Sequence, residues 1–207
     1  DVGAGGRSLF PLALAWRNQT RVLAVDLADP LAWLRTAYEK LAARGFLAGS
    51  IETRTGVDAR RTDFPEASMD RITCISVLEH IPDSGDSQSI SEFGRLLAPG
   101  GRVVVSVPFA ARPINEYKPS NVYERTLPEG EESLFFNRRY SFDCLQDRLV
   151  RPSGMKLIEE RYIAEPTRQF LFELSPRRPH KDGALIWRRR QSILRRLGGC
   201  GRYSRRY

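Results

Sequence analysis

Asp1, Gly3, Gly5 and Gly6 crowd the opening stretch DVGAGGRS. Glycine tolerates positive φ and lets a backbone come close to a ligand. A helix start directly behind such a turn offers free N–H groups to a carboxylate or a phosphate. A second carboxylate, Asp26, closes the apolar run RVLAVDL about twenty residues on, where an acid accepts both hydroxyls of a ribose. A third, Asp58, lies in GVDARR, and His80 stands in SVLEHIP. Carboxylates accept hydrogen bonds from hydroxyls and amines, and an imidazole takes a proton near neutral pH. Each residue also has a plainer reading: a structural turn, an N-cap, an exposed turn acid, a lining histidine. Taken together, the glycines and Asp26 favour a nucleotide-like cofactor. NAD and S-adenosylmethionine fit these two features about equally.

The elements that must position these residues alternate between helix and strand. SLFPLALAW sets Leu9, Leu12, Ala13 and Trp16 at helical spacing. RVLAVDL reads as a strand. Asp29 then caps a helix begun by Pro30, with Leu31, Leu34, Tyr38 and Leu41 on one face. TGVDA and DRITCISVL read as strands. A helix over DSQSISEFGRLLAPGG turns Ile90, Phe93, Leu96 and Leu97 inward and stops at Pro99 and Gly100. RVVVSVPF is apolar on both faces, as in the middle of a parallel sheet. A further helix from Ser141 aligns Phe142, Leu145 and Leu149, and MKLIEERYIA reads as an antiparallel strand near the sheet edge. This order predicts an α/β fold: a Rossmann-like open, mostly parallel sheet with helices on both faces and an antiparallel edge strand. Ligands of such sheets bind beyond the carboxyl ends of the strands.

Bulk composition narrows the function classes. The 207 residues are 41% hydrophobic and 28% charged, with three scattered cysteines and two histidines. No CxxC pair points to zinc or to a disulfide framework, and the cysteine usage suits a reducing, cytoplasmic setting. No apolar run approaches the ~18 residues of a membrane span. The net charge of +8 is unevenly spread: residues 177–207 hold eleven of the 33 lysines and arginines and a single acid, Asp182. The rest of the chain is therefore slightly acidic, which argues against nucleic acid as substrate. We expect one domain over residues 1–174, with an insertion at 110–140, and a basic tail over 175–207. The tail's Ile186, Ile193, Leu194 and Leu197 are roughly helically spaced beside Trp187. Such a segment suits an anionic membrane surface or nucleic acid; a solvated end is the reading we favour.

The stretch GVDARRTDFPEASMDRITCISVLEHIPD resembles the class I S-adenosylmethionine-dependent methyltransferases, above all the broad small-molecule, type 11-like group. That group's pattern is an acid and a small residue, a Pro-Phe-like stretch, a strand opened by Asp, and a Leu-Glu-His end. LLAPGGRVVVSVP is similar to its next hallmark. The resemblance spans about residues 1–108 and implies S-adenosylmethionine as cofactor. By it, Gly3 and Gly5 lie under the methionine portion, with Asp1 near its amino group. Asp26 binds the ribose diol, with Leu27 against the adenine. Asp58 accepts the adenine amino group beside the Ala59 backbone, and Ser76 lines the cofactor by its backbone. Two departures stand out. Arg7 occupies the place of the motif's third glycine, and the strand expected ahead of the turn does not precede Asp1. We expect the natural protein to extend upstream.

Methyl transfer from a sulfonium needs no metal, and orientation is the protein's main contribution. A hydroxyl acceptor also needs a base. His80 is the candidate, with Glu79 as a local hydrogen-bonding neighbour. The long segment between SVPF and Ser141 is of the length that forms lids and binding loops. Tyr117, Tyr123, Phe135, Phe136 and Tyr140 would line an acceptor pocket there, with Asn115 and Glu116 as polar contacts; a β-hairpin packed on the domain edge fits equally. The expected partner is a small-molecule methyl acceptor. Two other functions stay open: a non-catalytic methyltransferase-like module with an interaction tail, and a nicotinamide-dependent oxidoreductase, whose fingerprint would need glycine at Ser8.

Overall fold

A computed structural model describes residues 1–123 and 125–163 and the backbone of 202–206. The helical stripe expected around Ile186 to Leu197 lies outside the described residues. The first unit comprises α1 (Phe10–Arg17), β1 (Arg21–Val25), α2 (Ala32–Ala42) and β2 (Ser50–Arg54). β3 (Met69–Ile75), α3 (Gly85–Leu96) and β4 (Leu97–Ser106) form the second. β1 pairs in parallel with β2, and β3 with β4.

A single residue joins the two pairs. Val2 makes parallel bridges to Val25 of β1 and to Cys74 of β3. The sheet therefore runs β2-β1-Val2-β3-β4. From Val2 the chain winds outward through α1 and β1 to β2, then crosses back and winds the other way through β3 and β4. Right-handed crossovers put α1 and α2 on one face and α3 on the other. The reversal at Val2 is the switch point at which such sheets bind ligands.

Two cores match the two windings. Leu12, Ala15, Val22, Ala24, Leu31 and Leu34 are buried together under α1 and α2. Ile72, Cys74, Leu78, Ile90, Phe93 and Leu96 pack around α3, joined by Tyr140 and Leu149.

Several local expectations are corrected. α1 has the predicted period but another phase: Pro11, Leu12 and Ala15 are buried, while Leu9, Ala13 and Trp16 face outward. Ala15 is small enough for the chain to pass close by, and its carbonyl accepts from the Ala48 and Gly49 N–H groups. Asp29 does not cap α2; it pairs with Arg35 at 3.1 Å, and Leu31 holds the N-cap position. TGVDA is the loop after β2, not a strand. β4 is not apolar on both covered faces, since Val104 is 57% exposed.

Beyond β4, an antiparallel hairpin of β5 (Ile114–Lys118) and β6 (Leu134–Arg139) occupies the long segment. A short helix α4 (Phe142–Leu145), N-capped by the Ser141 hydroxyl, widens into a π turn over Gln146–Val150. β7 (Glu159–Ile163) is antiparallel as expected, but among the described residues it pairs with β8 (Arg202–Arg206) in a two-stranded sheet of its own and not with the edge of the parallel sheet. Five tail residues thus form a strand, where a solvated end was expected. Among the described residues, no helix is long and apolar enough to cross a membrane.

Candidate active site

The glycine turn sits at the switch point and is held by main-chain bonds. Val2 N–H donates to Thr73 O at 2.8 Å, and Gly3 and Ala4 N–H donate to Val25 O at 2.9 and 3.2 Å. Gly3 and Gly5 both have φ of +66°. A Cβ on Gly3 would lie 2.3 Å from a methyl of Val77, so the position needs glycine for space as well as for conformation. The Asp1 carboxylate accepts from the Thr73 hydroxyl at 2.8 Å.

β1 delivers Asp26 to the same place. One carboxylate oxygen accepts from Gly5 N–H at 3.0 Å and the other from Ala28 N–H at 3.3 Å. An ionised carboxylate has lone pairs beyond these two bonds, enough to take hydroxyl donors as well. Leu27 follows, 58% exposed, as an apolar surface at the strand end. The loop after β2 folds back onto this end through Val57 N–H to Asp26 O at 3.1 Å. That bond brings Asp58 beside Asp26. Arg60 grips Asp58 through Nε at 3.0 Å and Nη2 at 2.6 Å, and these bonds hold the carboxyl below its usual range. Ala59 is buried behind it. Ser76 turns at φ +54°, its N–H donating to Ser106 O at 3.1 Å. Against the glycine turn a cavity of about 410 Å³ opens, lined by Asp1, Gly3, Ala4, Arg7, Ser8, Phe10 and Ile75; Asp26, Leu27, Asp58, Ala59 and Ser76 are not in its lining. This is within the size range of small-molecule sites. Arg7 stands at its wall rather than inside the turn.

A second cluster forms around His80, at the end of a single helical turn (Leu78–His80) just past Val77. His80 Nδ1 lies 2.8 Å from Phe136 O. A carbonyl only accepts, so Nδ1 carries the proton and Nε2 is left as an acceptor. The Tyr123 hydroxyl is 3.2 Å from Nε2. The Tyr123 and His80 rings meet edge-on at 5.0 Å, and Tyr123 and Phe136 stack at 6.2 Å. Of the aromatic residues proposed for the acceptor pocket, Tyr123 and Phe136 are thus brought to His80. Tyr117 and Phe135 pair with each other, and Tyr140 is buried in the core. Glu116 is paired with Arg139 at 2.6 Å, and Asn115 is exposed opposite Arg138.

Two acids are buried in ways the sequence reading did not find: Glu79, expected as a local hydrogen-bonding residue, and Asp86, which it did not single out. Glu79 is 3% exposed, and its Oε2 has no hydrogen-bond partner among the described residues. Burial pushes its carboxyl up to about 7. Asp86 is fully buried and gathers the hairpin and the α4 region onto α3. Arg138 Nη1 at 2.7 Å, the Tyr140 hydroxyl at 2.8 Å and Arg148 Nε at 2.8 Å all donate to its Oδ2. Burial raises the Asp86 carboxyl, but hydrogen bonds from Arg148 and Tyr140 outweigh it and the net shift is downward. Asp86 shows in the sequence only as one acid in a polar helix start.

A family profile described as a methyltransferase domain matches residues 1–105. The chain belongs to this family. The ubiquinone biosynthesis O-methyltransferase of Xylella fastidiosa is 36% identical over 108 residues, covering 51% of this chain and 39% of that protein. The chain thus spans about two fifths of the length of the curated O-methyltransferases it matches. The phosphatidylethanolamine N-methyltransferase of Cereibacter sphaeroides is 22% identical over 160 residues, 77% of this chain and 70% of that one. Two solved methyltransferases share the fold. An S-adenosylmethionine-dependent enzyme from Methanosarcina mazei has a TM-score of 0.60 at 19% identity, covering 81% of this chain and 83% of its own. One from Mesorhizobium loti has a TM-score of 0.53 at 20% identity, with 84% and 80% covered. The methyltransferase domain's Rossmann-like fold is thereby established.

Proposed function

We propose that this methyltransferase domain binds S-adenosylmethionine and directs its methyl group to a small-molecule acceptor, as a cytoplasmic enzyme. The observation that carries this reading is the glycine turn at the sheet's switch point, with the Asp26 carboxylate bonded to Gly5 N–H and Asp58 beside it. The residues fit the cofactor chemically. The cavity that opens against Gly3 and Ala4 admits a ligand close to the main chain. Asp26 has acceptor capacity for a ribose diol, and Leu27 presents an apolar face for adenine. Arg60 engages both Asp58 oxygens, so Asp58 takes the adenine amino group through lone pairs beyond those bonds, and Ala59 and Ser76 complete the wall. When bound, the sulfonium supplies an electrophilic methyl group and leaves as a neutral thioether.

The chain's own residues orient the acceptor and handle its proton. His80, held by the Phe136 carbonyl, presents Nε2 as the proton acceptor. Tyr123, Tyr117, Asn115 and Glu116 belong to the hairpin region that selects the acceptor, and Tyr123 is the one already in place against His80. Residues 110–140 act as the substrate-selecting segment of a domain running to about 174, with the basic segment beyond it as the candidate for peripheral membrane contact.

Calorimetry with S-adenosylmethionine tests the reading. Binding by the wild-type chain, weakened at least several-fold in both Asp26→Ala and Asp58→Ala, is the expected result. Binding of NAD in its place, or unchanged affinity in both variants of a folded chain, would overturn it.

A further inference from the structure

Glu79 is the buried acid that the reading above leaves idle. It points into the acceptor side: Oε1 is 3.8 Å from His80 Nε2, and Oε2 is without a partner among the described residues. Three groups face it. Cys74 of β3 lies beneath, and burial together with the Glu79 charge pushes its thiol up to about 12. The Tyr123 phenol, on the loop after β5, is also pushed up, by burial and then by Glu79. His80 is on the same helical turn. Cys74 and Tyr123 therefore keep their protons through neutrality, which leaves the imidazole as the group that can exchange charge with Glu79.

We propose that Glu79 is a positioning residue for His80, its carboxylate standing 3.8 Å from Nε2 so that the charge His80 gains from a hydroxyl acceptor is balanced inside the cleft. This rests on the methyl-transfer reading and narrows the acceptor to one that gives up an O–H proton. As the acceptor oxygen bonds to the methyl group, its proton passes to Nε2. The imidazolium formed lies against the Glu79 carboxylate, with the Phe136 and Tyr123 rings beside it. An amine acceptor that reacts as the free base would not need a buried counter-charge at this point.

Because burial raises Glu79, its contribution to stability is full below the ordinary carboxylate range and is lost as pH rises through about 7. Glu79→Gln should therefore keep its melting temperature at pH 8, which makes it a usable probe. Carbethoxylation of His80 by diethyl pyrocarbonate, followed by peptide mass, reads the unprotonated ring without any cofactor. The other histidine, His180, is distinguished by its own peptide. At pH 7 Glu79→Gln should be labelled about two- to fourfold faster than wild type, because the substitution removes the carboxylate that stands 3.8 Å from Nε2. Glu79→Asp should fall between the two. With a hydroxyl acceptor, Glu79→Gln should lower kcat by roughly tenfold, with KM for S-adenosylmethionine unchanged. Equal labelling of a folded Glu79→Gln chain and wild type would overturn the proposal. Failure of the wild type to bind S-adenosylmethionine would sink the methyl-transfer reading and leave the labelling result to decide the pairing.

Discussion

Of the two sides proposed for the cleft, the cofactor side draws its decisive contacts from the main chain. Val2 is strung between Thr73 and Val25, the Gly3 and Gly5 turn follows, and Asp26 receives a backbone N–H. On the acceptor side they belong to side chains far apart in sequence: Arg138, Tyr140 and Arg148 on Asp86, and Tyr123 on His80. A site made of backbone depends on local geometry that few substitutions disturb, because most side chains point away from it. A site made of side chains changes with every residue that contributes to it. The same fold can thus keep one donor and vary its acceptors.

The largest expected effect lies on the side-chain half. Asp86→Ala leaves two guanidinium groups gathered in a core without their carboxylate. Removing one partner of a buried ion pair costs about 3–5 kcal/mol, a large share of a domain's typical stability. Denaturant unfolding should show a loss of this size, and the hairpin should detach before the sheet. Hydrogen exchange that is faster in β6 than in β1 would show that order. A uniform loss across both halves would mean that Asp86 holds the whole domain, and the contrast drawn here would fail.

A smaller effect is expected at the turn. Gly3→Ala places a Cβ 2.3 Å from the Val77 methyl and asks alanine for φ +66°. The conformation alone costs about 1–2 kcal/mol. Cofactor affinity should fall at least tenfold in calorimetry. Adding Val77→Ala should restore part of it, since the methyls removed are those the new Cβ meets. No recovery would assign the whole loss to the backbone.

What could be read from the sequence follows the same division. The glycine turn, Asp26 at the end of β1 and the order of strands and helices rest on contacts within one winding, and local pattern reports them. β2 was missed because it is the sheet edge: only Ile51 is buried, while Glu52 bridges the exposed Arg21 and Arg54. A strand with one buried apolar residue carries no alternation to detect. The outward phase of α1 was missed because Pro11 and Ala15, neither strongly apolar, fill the close approach to the sheet. Asp86 and Glu79 were beyond reach for another reason. The partners of Asp86 come from the hairpin and the turn after α4, more than fifty residues on, Glu79 pairs among the described residues only with its neighbour His80, and nothing in a local window marks an acid that will be buried.

The smallest effect sharpens the comparison through pH. Glu92 of α3 accepts from Thr62 N–H at 2.9 Å and from Arg95 Nη2 at 2.6 Å, tying the Asp58 loop to the helix. Bonds from Arg95, and then from Thr62, bring its carboxyl down to about 2. A carboxyl lowered in the folded state adds stability that is present above its ordinary value of 4.5 and lost as pH falls towards 2. Arg95 is partly exposed, so solvent screens much of this contribution. Glu92→Gln should therefore lower the melting temperature by a few degrees at pH 7, with the difference vanishing near pH 2. The loop it tethers carries Asp58 and not the hairpin. Cofactor affinity should weaken with it while carbethoxylation of His80 stays unchanged, and a change at His80 would show that the two halves of the cleft are coupled through α3.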